Sequence, residues 1–180
     1  MALKPTIYKF RIALSDLERD YYDSLSLTVA QHPSETDERM MARVLAFILN
    51  AQSDLSFTKG LSSTEEPDIW LRTMDDRISL WVDVGEPNPE RIKKASHLAE
   101  QVSVYSFNSK SDVWWTQSQS KVSQIRASVY RFNWQQIEVF ASMLERRMDC
   151  SLTITGESAY IATQKGECEV TWELLQAADS

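Results

Sequence analysis

Cysteine and histidine are scarce in this chain, two of each, and no CxxC pair brings Cys150 and Cys168 into metal-binding spacing. So few ligands without a paired motif argue against a structural zinc site. Long apolar runs are missing as well. No stretch approaches the roughly 20 residues that a membrane-spanning helix needs, and no basic start leads into an apolar segment. The expectation is a soluble, cytoplasmic protein with no membrane association and with reduced thiols. Positive charge is also in short supply. With 19 Lys and Arg against 26 Asp and Glu the net charge is −7, and an acidic protein is repelled by nucleic acid unless its cations are gathered locally. Any nucleic-acid role has to run through a local basic patch.

What is present fits one compact globule. A chain of 180 residues, 43% of them hydrophobic, is the size of one domain, and a single domain over 1–180 is expected. Residues 4–14 alternate Ile7, Lys9, Arg11 and Ala13 against Tyr8, Phe10, Ile12 and Leu14, the period of a half-buried strand. Residues 21–31 alternate again, so the first thirty residues read as a hairpin. Ser34, with Asp37 three residues on, has the spacing of a helix cap, and Met41, Val44, Leu45 and Ile48 form the apolar stripe of a helix to about Ala51. Glu38 falls on that stripe, where it either serves a site or merely complements the helix dipole.

Residues 51–66, including Gly60, read as a long loop with a short strand near 55–58. Short strands are expected at 68–72 and 78–84, the second buried on both faces. A helix over 90–101 and a strand over 102–107 follow, and strand, helix and strand in that order predict a parallel crossover. Further on come a short helix around Trp114 and Trp115, a strand over 124–132, a helix from Asn133 to about Arg147, and three strands in the tail. The result is a mixed sheet carrying several helices.

Chemistry concentrates between Glu65 and Lys94. The strand ending Trp81-Val82-Asp83-Val84-Gly85 runs into a Pro-bounded loop and then a helix bearing Arg91, Lys93 and Lys94, so acid and base lie within a dozen residues. Magnesium takes oxygen ligands and usually only one or two carboxylates. Asp68 and Asp83 suffice if their strands pair as a hairpin, with the Val84 carbonyl as a further ligand. Pro67-Asp68 followed by Asp83-Val84-Gly85 is similar to the nuclease signature PD-(D/E)XK.

Five segments in order carry a more specific likeness: MALKPTIYKF (1–10), SETDERM (34–40), LWVDVGEP (80–87), RIKKA (91–95) and WWTQSQSK (114–121). They resemble the bacterial YaeQ family over essentially the whole chain. That resemblance implies a restriction-endonuclease-like α/β roll, a mixed central sheet flanked by helices, in which a helix glutamate, two further acids and a lysine cluster. Carried onto this sequence, the acids are Glu38, Asp68 and Asp83, with Asp68 and Asp83 holding Mg²⁺. The lysine is missing, because the position two beyond Asp83 on the same face is Gly85.

A cation from the following helix can fill that gap. At about 100° per residue, Lys93 flanks the helix's apolar face and Lys94 points nearly opposite, which favours Lys93 as the migrated lysine. Arg91 flanks the other side and is placed to bind substrate. Gly85 is equally an ordinary strand-ending turn, and a lysine-rich helix start is usually a solvated surface. Two functions follow: a Mg²⁺-dependent phosphodiesterase, or a non-catalytic module that keeps the frame and binds nucleic acid or a protein. Trp70, Trp114 and Trp115 near Lys110 and Lys121 suit base stacking, although paired tryptophans in a helix are more often core. A dimer through the edge of the first hairpin has little support, and a monomer is favoured.

Overall fold

The computed structural model describes residues 4–59 and 64–178. The chain folds into two compact units, one comprising the residues up to Met41 together with Asn133–Trp172, the other Ala42–Phe132 and the C-terminal residues from Glu173. The architecture is mixed α/β.

The first unit begins with two strands of eleven residues. β1 (Thr6–Asp16) buries Phe10, Ile12 and Leu14 while Lys9, Arg11 and Ala13 stay exposed. β2 (Tyr21–Gln31) pairs antiparallel with it over its whole length without a register shift. Asp16, 2% exposed, closes the turn by accepting the backbone N–H groups of Glu18 and Arg19 and the Arg19 guanidinium at 3.0, 3.1 and 2.6 Å. β8 (Arg147–Thr155) lies parallel to β1, and β9 (Ser158–Thr163) and β10 (Gly166–Gln176) continue antiparallel, giving the order β2-β1-β8-β9-β10.

Helix starts and stops depart from the sequence expectation for local reasons. α1 (Asp37–Leu49) is capped by Thr36, whose hydroxyl accepts the Arg39 N–H at 3.1 Å, and not by Ser34. His32 Nδ1 lies 3.0 Å from the Ser34 N–H nitrogen and 2.7 Å from its hydroxyl, which holds a turn there and delays the helix. α4 (Trp134–Ser142) starts as expected at Asn133, which accepts the Gln136 N–H at 3.0 Å. It stops well before Arg147, because the N–H groups of Met143 and Leu144 reach back only three residues and tighten the last turn.

The second unit contains β3 (Leu55–Phe57), β4 (Ile69–Arg72), β5 (Ile78–Val84), α2 (Pro89–Leu98), β6 (Ala99–Ser106), α3 (Ser111–Val122) and β7 (Ser128–Phe132). Strands β3, β4 and β5 pair antiparallel, then β5, β6 and β7 pair parallel, so the crossover through α2 joins parallel strands. Leu80 to Val84 are all buried, and Trp81, Ile92, Val104, Trp115 and Val129 belong to one core cluster. α2 ends at Leu98, short of residue 101, because Ala99 already pairs with Ile78. α3 runs to Val122, so β7 begins at Ser128 and not at Gln124; the Gln176 amide donates to the carbonyls of Val122, Ile125 and Ala127 in the turn between them. Gly60, in the loop expected over 51–66, lies outside the described residues.

Cys150 on β8 and Cys168 on β10 are separated by β9. Two strand spacings, about 9–10 Å, exceed disulfide reach, and burial pushes both thiols up to about 11.

Candidate functional site

Strand pairing and a helix cap build the site in the second unit. The β4–β5 ladder ends at Ile69↔Val82, and the residues just beyond that pair, Asp68 and Asp83, stand one on each strand. Both are buried, at 6% and 4% exposure. The Asp68 N–H donates to the Val82 carbonyl at 3.0 Å, and its carboxylate Oδ2 accepts the Val84 N–H at 2.8 Å. α2 begins five residues after Val84, because Asn88 accepts the Glu90 N–H at 2.9 Å and Pro89 opens the first turn. Burial of Ile92 and Ala95 sets the rotation of the helix, and that rotation turns Arg91 toward Asp83.

Arg91 engages both oxygens of Asp83. Nε donates to Oδ2 at 2.8 Å and Nη2 to Oδ1 at 3.2 Å, while Nη1 donates to the Thr64 carbonyl at 2.7 Å and Nη2 also to the Glu66 carbonyl at 2.9 Å. One guanidinium therefore ties β5, α2 and the segment leading to Asp68. Its Cζ sits 5.8 Å from the centre of the Trp81 ring, within cation–π range. Burial pushes the Asp83 carboxyl above the usual carboxylate range; Arg91 pulls it back without cancelling the rise, and the Asp68 charge adds to it. The Trp81 indole N–H is buried and makes no hydrogen bond of normal geometry among the described residues. It still favours the Asp83 anion as a nearby dipole.

The structure thus brings Asp68, Asp83 and Arg91 together. Lys93 is exposed on α2, and Lys94 is also exposed, with Nζ 3.4 Å from Glu65 Oε2, a solvated pair that contributes little. Glu38 is half-buried in the first turn of α1 and belongs to the first unit. The tryptophans divide: Trp115 joins the core, and Trp114 packs against it while donating Nε1–H to the Pro87 carbonyl at 2.8 Å.

Glu86 is a member of this neighbourhood that spacing alone does not reveal. Its Oε2 accepts the Ser106 hydroxyl and the N–H groups of Phe107 and Asn108 at 2.7, 3.0 and 3.3 Å, securing the entry to α3. The available signal is an acid placed directly after a strand-ending glycine.

Gly85 has φ +127°, a Cβ there would meet nothing within 4 Å among the described residues, and its N–H donates to the Tyr105 carbonyl at 2.8 Å. Space is open beside Asp83 but the backbone favours glycine. Gly85→Ala is therefore expected to lose about 1–2 kcal/mol from backbone strain alone, read as a lower urea midpoint with unchanged slope.

Both oxygens of Asp83, one of the two carboxylates expected to hold magnesium, accept from the guanidinium fork. Among the described residues no group of three or more His, Cys, Asp or Glu side chains is gathered to hold a metal ion. The guanidinium pairs with a buried carboxylate and fixes the loop beside it.

Comparison with known proteins places the chain in a family. Residues 1–172 match the family model described as YaeQ protein. The uncharacterised protein YaeQ of Escherichia coli (strain K12) is 40% identical over 172 residues, spanning 94% of this chain and 95% of that protein, and the Salmonella typhi protein matches to the same extent. The crystal structure of YaeQ from Xanthomonas axonopodis pv. citri superposes with TM-score 0.93 at 33% identity, covering 96% of this chain and 99% of that one. The Pseudomonas syringae YaeQ structure gives 0.92 at 31% identity, covering 96% and 97%. The chain belongs to the YaeQ family.

Proposed function

We propose that this chain is a non-catalytic binding module that keeps a frame similar to the restriction-endonuclease-like roll, with a guanidinium standing where a hydrolase would hold its cation. The Arg91 fork on Asp83 carries this reading. A bidentate arginine–carboxylate pair at low exposure is strong and directional, and here it is anchored further by two backbone carbonyls. Its partner is a nucleic acid or a protein.

The hydrolytic reading retains one supporting observation, the placement of Asp68 and Asp83 on adjoining strands with their charges coupled. In that reading a cation ligates Asp83 beside the Arg91 fork or in its place. The test is a thermal melt with Mg²⁺ or Mn²⁺ alongside a plasmid-nicking assay. The binding-module reading expects an unchanged melting temperature and no nicking. A metal-dependent rise in melting temperature together with nicking, both abolished by Asp83→Ala, would overturn it in favour of Mg²⁺-dependent phosphodiester hydrolysis.

A further inference from the structure

The open face of the first unit's sheet carries a second, independent feature. Strand register places its side chains in rows. Thr28, Lys9 and Arg147 form one row; Ser26, Arg11 and Asp149 the next; then Ser24, Ala13, Ser151 and Ala162; then Tyr22, Ser15, Thr153 and Tyr160. Two depressions of about 610 and 530 Å³ adjoin on this face and share Arg11, Ser26 and Asp149.

The charges on this face are segregated, with cations on β1 and β8 and acids on β10. Lys9 and Arg147 are direct register partners, both exposed, and neither has an ion pair among the described residues. Like charges opposite one another destabilise a sheet. The acid in the adjoining row, Asp149, is occupied by Arg11, which donates to its two oxygens at 2.7 and 3.2 Å. An anion bridging Lys9 and Arg147 relieves this repulsion. The acids paired into the same rows, Glu167 and Glu169, lie on β10, away from the cations on β1 and β8; Glu169 is the register partner of Tyr160 and accepts its hydroxyl, leaving the ring face of Tyr160 as the surface offered.

At the other end of the face, Tyr22 and Tyr160 are 58% and 53% exposed. They stand three strand spacings apart, about 14 Å, and six residues, about 20 Å, from the cationic row. Ala13, Ser24 and Ser151 form a low floor between the cationic row and the tyrosines. Exposed rings at one end and unpaired cations at the other match a ligand that alternates flat π-faces with phosphates. A duplex hides its base faces, and an acidic peptide has no repeating planar group to place on the rings.

We propose that this sheet face binds single-stranded nucleic acid, with phosphates at Lys9 and Arg147 and bases against Tyr22 and Tyr160. The surface lies wholly in the first unit and is independent of the state of Asp83 and Arg91, so the metal and nicking assays neither support nor weaken it.

The test uses the full chain and fluorescein-labelled oligothymidine and oligouridine, read by anisotropy at low ionic strength and through a salt titration. Binding is expected to weaken steeply with salt. Lys9→Glu with Arg147→Glu should weaken it at least about tenfold and flatten the salt dependence. Tyr22→Ala and Tyr160→Ala should each weaken it about fivefold or more at unchanged salt slope, since stacking is not ionic, and Tyr22→Phe should bind as the parent does. All four positions are exposed, and circular dichroism confirms that each variant is folded. Three results would each overturn the proposal: no binding of either oligonucleotide at low ionic strength, binding unaffected by the charge reversals, or tighter binding of a labelled oligoglutamate peptide, which assigns the face to an acidic protein.

Discussion

Replacing Arg91 by alanine is expected to destabilise the protein by about 3–5 kcal/mol at neutral pH, the cost of leaving a buried charge without its partner. Asp83 is 4% exposed, and the guanidinium supplies two of its hydrogen bonds while holding the carbonyls of Thr64 and Glu66. The loss should depend on pH with a definite sign. Burial already raises the Asp83 carboxyl above its ordinary value and Arg91 opposes that rise, so removing Arg91 raises it further. A carboxyl raised in the folded state stabilises relative to the unfolded chain below the ordinary value, and this is lost as pH rises through the folded value. The deficit of Arg91→Ala should therefore be largest at neutral pH and shrink as pH falls through the raised folded-state values, reaching its minimum before the ordinary carboxylate range. Asp83→Asn in the same background should recover part of it by removing the charge. Urea unfolding followed by circular dichroism measures all three, and a deficit under about 1 kcal/mol that does not change with pH would show that Asp83 does not depend on Arg91.

Glu86→Ala is expected to cost about 2–4 kcal/mol, because it removes a charged acceptor from three donors at once. Ser106 is fully buried and Ser111 3% exposed, with their hydroxyls 2.5 Å apart, so the Ser106 hydroxyl keeps one partner while the N–H groups of Phe107 and Asn108 lose theirs. Glu86→Gln retains a neutral acceptor and should cost about 1 kcal/mol. Amide exchange separates a local from a global effect: faster exchange at Phe107 and Asn108 is expected even where β6 stays protected. Unchanged exchange there would show that the carboxylate does not secure the entry to α3.

How much of this was legible depended on range. The first hairpin is readable because alternation is local, and Phe10, Ile12 and Leu14 face inward as the pattern requires. β5 is readable as a run of apolar residues bounded by a turn, and its bounds match the expected 78–84. The Asn133 cap at the start of α4 is as the sequence predicts. Ser34 misleads because its hydroxyl had a competing partner, His32, two residues away. α4 runs short because a helix end is set by which N–H groups find acceptors, and residue spacing does not report that.

The sequence by itself determined the element types, the carboxylates at 68 and 83, the empty side-chain position at 85, and the supply of cations on the next helix. Only the tertiary structure decided which cation meets Asp83. A helical wheel treats Arg91 and Lys93 as flanking opposite sides of one apolar stripe, and Ile92 and Ala95 are buried under either choice. The decision comes from where α2 lies over β5 and from two carbonyls, Thr64 and Glu66, that a five-donor guanidinium can satisfy together and a point-charge ammonium cannot. The rows on the first unit's sheet depend on tertiary structure in the same way, since Lys9 and Arg147 are 138 residues apart and only the parallel register of β1 with β8 sets them side by side.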